Sequence, residues 1–205
     1  MKRSDLTRQR ILDAAEAEFA EVGLYGARVD AIAQRADANK RMIYAYFGNK
    51  EQLYVTVLSR VYSRLAEAEK QLITAELPPD EMLKQVIGMY FRFLAEDPSF
   101  VRMLMWENLN NAGYIRSSEA GMLKASSLKT LSDTLARGIR EGIFREDIDT
   151  ESTVLSVNMC CFSYFSNIHT MSHLMQKELT APEAIRSYAA HITEMILRFV
   201  RRKDA

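Results

Sequence analysis

Cysteine is scarce in this chain of 205 residues: there are two, adjacent at Cys160 and Cys161. An adjacent pair excludes a disulfide framework and fits a reducing compartment. Prolines (four) and glycines (eight) are few, and each proline falls at a junction between periodic segments, which leaves long helices uninterrupted. No run approaches the ~18 apolar residues that a bilayer span requires. No hydrophobic leader follows Met1-Lys2-Arg3-Ser4-Asp5, so the expectation is a cytoplasmic protein with no membrane partner. Net charge is missing as well: 27 Lys+Arg balance 27 Asp+Glu, so bulk charge marks no nucleic-acid partner. No window alternates apolar and polar residues with β-branched enrichment, which excludes strands. A Gly-x-Ser-x-Gly elbow, a phosphate-cradling glycine loop and a His-Glu-x-x-His pair are all lacking. The chain is therefore expected to be neither an enzyme nor a cofactor carrier.

What is present is helical. Apolar residues make up 48% and charged residues 26%, with eleven methionines, which suits an all-α globular protein. The spacing predicts a first helix from about Thr7 to Val22, buried through Ile11, Ala15, Phe19 and Val22 and closed by Gly23. Two short helices follow, over about 29–36 with Val29, Ile32, Ala33 and Ala36 inward, and over about 39–46, joined by a tight turn at Asp37-Ala38. Asn49 and Gln52 form a capping box for a long fourth helix that carries Leu53, Val57, Val61, Leu65, Ala68 and Leu72 as far as about Ala75. At ~1.5 Å per residue it spans roughly 40 Å, enough to join two domains. Further helices are expected at about 80–96, 99–110, 118–143, 150–175 and 181–202. The 118–143 helix carries Leu128, Leu131, Leu135 and Ile139. The last is capped by Thr180 and Glu183 and buried through Ile185, Tyr188, Ile192, Ile196 and Phe199.

Two short helices, a tight turn and a following long helix make a helix-turn-helix. Residues 28–50 hold Arg28, Arg35, Lys40, Arg41 and Lys50 against Asp30 and Asp37, a local charge of +3 in a neutral chain. Ile32, Ala33, Ile43 and Phe47 can pack the pair onto Phe19. Asn39, Lys40, Arg41, Tyr44 and Tyr46 are then left for the surface of the second short helix, where Asn, Lys and Arg suit base edges and Tyr suits phosphate or thymine methyl groups. Arg28 and Lys50, at the starts of neighbouring helices, suit phosphate.

At these residues the chain resembles a known family. The run Arg10-Ile11-Leu12-Asp13-Ala14-Ala15, then Phe19 and Gly23, then Val29-Asp30-Ala31-Ile32-Ala33, and then Asn39 through Leu53 is similar to the tetracycline-repressor (TetR) family over about the first 55 residues. The remainder matches in helical architecture, with Gly142-Ile143-Phe144-Arg145 and Asp147-Ile148-Asp149 like the family's lead into its eighth helix. Three departures stand out: Ala27-Arg28 where Thr or Ser is usual, Asp37 at the usual turn glycine, and Arg41-Met42 where small residues are usual.

The resemblance implies a ligand-responsive regulator, most simply a repressor, with a DNA-binding domain at 1–50 and a ligand-binding and dimerisation domain at 51–205. It implies double-stranded DNA with a palindromic operator, a small-molecule effector, and a homodimer through the helices at about 150–175 and 181–202. The 154–165 segment is apolar nearly all round and needs cover on both faces. A pocket among the fourth to eighth helices would be lined by Tyr62, Met89, Phe93, Met103, Trp106, Leu131, Asn158 and Phe162, which suits an apolar or aromatic molecule. His169 and His173 share a helix face, but no third ligand accompanies them, so no metal is expected. The rival for such a bundle is a ligand carrier or structural protein without DNA binding, and salt-dependent affinity for duplex DNA separates the two.

Overall fold

A computed structural model describes residues 3–72, 77–117 and 119–202. Among the described residues ten α-helices follow one another: α1 Arg3–Gly26, α2 Val29–Arg35, α3 Lys40–Phe47, α4 Lys50–Leu72, α5 Pro79–Glu96, α6 Pro98–Leu109, α7 Glu119–Arg140, α8 Thr150–Ser166, α9 Ile168–Met175 and α10 Pro182–Val200. A single 3₁₀ turn lies at Ile115–Ser117, and one isolated antiparallel bridge joins Phe144 to Arg201; the described residues contain no strand. None of their helices is long and apolar enough to cross a membrane. The expected end of the fourth helix near Ala75 and the expected helix start at 118 lie outside the described residues.

The chain divides into two compact units, Met1–Arg64 with Pro98–Leu123, and Leu65–Asp97 with Lys124–Ala205. In the first, α1 is the common wall. Ile11, Ala15 and Phe19 are fully buried, and Phe19 meets Tyr54 of α4 edge-on at 5.0 Å. The other side of α1 receives α6. Gly23 sits inside the helix at φ 70, and its bare α-carbon leaves room for the Trp106 ring; a Cβ there would lie 2.7 Å from it. The indole N–H donates to the Ala20 carbonyl at 3.4 Å. Gly23 thus closes the first helical segment in the left-handed conformation expected of it, and a further turn carries α1 to Gly26; Leu24 takes the buried place expected for Val22, which is 38% exposed.

Polar groups lock the same wall. Arg64 of α4 grips the Glu16 carboxylate with two bonds, at 2.9 and 2.7 Å, and Ser99 of α6 donates to Glu16 at 2.5 Å. Deeper in, the buried Glu107 carboxylate accepts from the Tyr54 hydroxyl at 3.0 Å and from the Tyr114 and Ile115 amides at 3.2 and 3.0 Å. Those bonds hold a loop in which Asn111 and Ala112 are both left-handed, at φ 56 and 57. Burial first, and then Glu107, keeps the Tyr54 phenol protonated well above the usual range.

In the second unit, α10 packs along α5, and α8 completes the layer. Leu83, Ile87, Leu131, Leu135, Val157 and Val200 are fully buried. Phe91 gathers Tyr164, Phe165 and Tyr188 within 6.0 Å, and Tyr164 donates to the Leu179 carbonyl at 2.8 Å. Three expectations change here. The 150–175 helix breaks at Asn167, where Ser166 and Asn167 supply side-chain groups that compete with the helical ladder, and the Asn167 side-chain amide donates to the Ser163 carbonyl and to the Ser166 hydroxyl, each at 3.0 Å. Thr180 does not cap α10; its hydroxyl turns to Glu178, and Pro182 starts the helix without a side-chain cap. The buried stripe of α10 shifts to Leu197 and Val200, which leaves Phe199 48% exposed beneath the Arg145 guanidinium.

Gly23→Ala is expected to lower unfolding stability by about 1–3 kcal/mol, from left-handed strain together with collision on Trp106. Urea unfolding followed by emission of the single tryptophan measures it. In a Trp106→Ala background, followed by circular dichroism, the same substitution should cost less, and full additivity would show that the two residues do not meet.

Candidate nucleic-acid interface

The surface built by α2, the turn and α3 lies wholly within the first unit. Val29, Ile32, Ala33, Ala36, Ile43 and Phe47 are buried, as the apolar spacing requires. Each junction has its own fastening. No side chain caps α2 at Arg28; instead, the Arg28 amide donates to the buried Glu18 carboxylate at 3.3 Å. The turn residue Asp37 is left-handed at φ 45, a conformation that Asp tolerates better than most residues. Arg10 of α1 pins it, donating to the Asp37 carbonyl at 3.1 Å and pairing with its carboxylate at 3.4 Å. Asn39 caps α3 by accepting from the Arg41 amide at 2.8 Å. Gly48, at φ 79, ends α3, and the Asn49/Gln52 capping box forms with bonds of 2.7 and 3.2 Å.

The seven residues singled out from the sequence occupy different stations on this frame. Arg28 and Arg41 are exposed, and among the described residues neither guanidinium has a partner. Tyr44 is 43% exposed beside them, and Met42 is exposed too. Asn39 faces solvent, its carbonyl oxygen engaged in the cap. Tyr46 is half-buried, its ring 6.1 Å from that of Phe47. Lys50 reaches across to the Ala27 carbonyl at 3.1 Å, which ties the start of α4 to the α1–α2 connection. Lys40 pairs with Asp30 of α2 at 2.9 Å, and that hydrogen bond and charge raise its pKa above the ordinary lysine value. Three residues of this surface escaped sequence reasoning: Arg8, stacked 5.2 Å over the Phe47 ring, Arg10 at the turn, and Asp30. Only the surplus of cations around Asp30 and Asp37 hinted at such pairing.

The eight residues expected to line an effector pocket fall in both units. In the first, Tyr62 is buried against Phe100, with ring centroids 5.4 Å apart, and its hydroxyl has no partner among the described residues. Met103 is fully buried, and Trp106 is seated on α1. In the second, Met89 and Leu131 are buried, and Phe93, Asn158 and Phe162 are half-buried. The Asn158 amide donates to the Val154 carbonyl one turn back at 3.0 Å. Cys161 is buried, and burial pushes its thiol up to about 12, which leaves it a packed, unreactive group.

Comparison with known proteins agrees with this geometry. Residues 11–57 match the model of bacterial regulatory proteins of the tetR family, and residues 79–196 match the tetracyclin repressor-like C-terminal domain. The transcriptional repressor NicS of Pseudomonas putida is 32% identical over 202 residues, covering 98% of this chain and 95% of its own. The fold is shared with the ketosteroid transcriptional regulator of Mycobacterium tuberculosis, at 21% identity, TM-score 0.75 and coverage of 96% of this chain and 95% of that one. It is also shared with a regulator from Bacillus subtilis solved with stearoyl-CoA, at 20% identity, TM-score 0.74 and coverage of 95% and 100%.

The unpaired and the tethered cations should behave differently on duplex DNA. Arg41→Ala is expected to cost ~1–3 kcal/mol on a selected target and to relax its sequence preference. Lys50→Ala should weaken all duplexes alike. Anisotropy titrations of selected and scrambled duplexes measure both, and an unchanged preference in Arg41→Ala would move base reading off α3.

Proposed function

Since the chain belongs to the tetracycline-repressor family of bacterial regulatory proteins, we propose that it is a ligand-responsive repressor that holds a palindromic operator as a homodimer and leaves it when a small-molecule inducer binds. The observation that supports DNA binding best is the exposed face of α2 and α3, where the Arg28 and Arg41 guanidiniums stand unpaired among the described residues, with Tyr44 beside them. Residues 1–50 serve operator binding and 51–205 serve the effector and dimerisation. Arg28, Tyr46 and Lys50 position the duplex through phosphate, while Asn39, Lys40, Arg41 and Tyr44 face the bases. Action on DNA places the protein in the cytoplasm. No observation favours a ligand carrier without DNA binding.

Dimerisation is supported by side chains that α8, α9 and α10 leave in solvent. Leu155 and Met159 are exposed on α8, Met171, Leu174 and Met175 on α9, and Met195 and Phe199 on α10. Apolar surface of this extent on neighbouring helices marks an association site. A two-fold pairing through it makes one contact patch serve both subunits, and it presents two recognition helices to a two-fold operator. Met159→Glu is expected to convert a dimer of 23.5 kDa chains into monomers at micromolar concentration, with loss of operator binding. Sedimentation equilibrium reads the mass, and a parent chain that is monomeric would rule the pairing out.

The effector is a small, largely apolar or aromatic molecule held in the second unit by Met89, Phe93, Leu131, Asn158 and Phe162, with methionine adapting the wall and Asn158 supplying an orienting hydrogen bond. It acts through α4, one unbroken helix from Lys50 to Leu72. A hundredfold loss of operator affinity requires ~2.7 kcal/mol of preference for the released conformation. With an inducer found by screening apolar and aromatic compounds for operator release, Asn158→Ala should raise the concentration for half-release tenfold or more. Release at the parent's concentration would take Asn158 out of the site.

A further inference from the structure

Asp30 interrupts the cationic face of the helix-turn-helix. It lies on α2 two residues after Arg28, and its carboxylate reaches the ammonium of Lys40, the first residue of α3, at 2.9 Å through one oxygen and 3.1 Å through the other. The Asp30 side chain is 66% exposed and that of Lys40 46%. Arg28 and Tyr44 both act electrostatically on Lys40, so the four side chains form one surface cluster. An exposed pair of this kind contributes little to folding stability, and the apolar packing of α2 on α3 holds without it. Its effect falls on whatever approaches the surface.

A duplex that lacks the right bases offers mainly phosphates, and affinity then grows with the number of cations free to meet them. Lys40 is already neutralised, and Asp30 repels the same phosphates. A correct base pair offers more. In the major groove a G·C pair presents the guanine O6 and N7 acceptors next to the cytosine N4 donor. An ammonium and a carboxylate side by side complement that pattern, the ammonium donating to guanine and the carboxylate accepting from cytosine.

We propose that Asp30 is a specificity-determining residue, which withholds Lys40 from phosphate on non-operator DNA and, together with Lys40, reads one G·C pair in each operator half-site. The proposal rests on the DNA-binding reading above and adds to it a residue whose sign is opposite to that of a usual DNA contact. It also accounts for an acidic residue standing in the segment that carries the chain's local positive charge.

The test is Asp30→Asn, nearly isosteric at an exposed position, with the full-length protein, a duplex selected from a random pool and a scrambled duplex of equal length, titrated between 50 and 300 mM KCl. The variant is expected to bind the scrambled duplex at least fivefold more tightly at low salt. Its slope of log K against log salt should steepen by about two per dimer, one lysine being freed in each subunit at roughly 0.9 per phosphate contact. The preference for the selected duplex should fall at least tenfold, and repeating the selection with the variant should erase one G·C position per half-site. In a Lys40→Ala background the Asp30→Asn change should no longer steepen the slope. A variant with the parent's slope, preference and selected sequence overturns the role of Asp30 while leaving the repressor reading intact. A parent that fails to select any duplex overturns both.

Discussion

The seat of Trp106 on the bare backbone of Gly23 is the constraint on which the first unit depends. It fixes α6 to α1 at a point where any side chain on residue 23 would collide with the ring. The Glu16 carboxylate of α1, shared between Arg64 of α4 and Ser99 of α6, fastens the same two helices again a few turns away and adds α4 to them. The buried Glu107 then ties the loop after α6 to Tyr54 of α4. Since α1 also walls the helix-turn-helix through Ile11, Ala15 and Phe19, the recognition surface rides on a body that includes α6, residues 98–109, well beyond the segment that bears the motif.

Electrostatics on that body is economical. Most cations near the turn are engaged internally: Arg10 with Asp37, Arg35 with Glu21, Lys40 with Asp30, Lys50 with a backbone carbonyl and Arg8 over an aromatic ring. A surface of this kind has little general attraction for phosphate and must rely on a few well-placed groups, which favours discrimination between sequences over tight binding to any duplex. Tethered cations also arrive ordered, so less side-chain entropy is lost when DNA binds.

The second unit follows a different logic. Its interior is held by aliphatic packing and by the aromatic cluster around Phe91, while its ion pairs, such as Arg201 with Asp80, sit at the margins. The break at Asn167 turns what would be one helix into α8 and α9, and so spreads exposed leucine and methionine over two short faces. Methionine-rich surfaces of this kind adapt to a partner more readily than branched side chains do.

Local chemistry alone determined much of this protein. The all-α class, the short helices of the motif, the left-handed glycine at 48, the Asn49/Gln52 capping box and the buried stripe of α2 depend on residues within a turn or two of one another, and periodicity, caps and turn preferences act at that range. The positive surface of α3 was legible for the same reason, since Asn39, Lys40, Arg41 and Tyr44 are separated by helical steps. Tertiary structure decided what those side chains do. Whether Lys40 is free or paired depends on Asp30, ten residues away on another helix, and whether Lys50 faces solvent depends on a carbonyl at residue 27. What packs against the bare Gly23 is Trp106, more than eighty residues later, and the shift of the α10 stripe from Phe199 to Val200 depends on what surrounds its last turn. A side chain's neighbours across the fold have no sequence period, so composition and spacing can nominate a residue for a surface, and only packing assigns its partner.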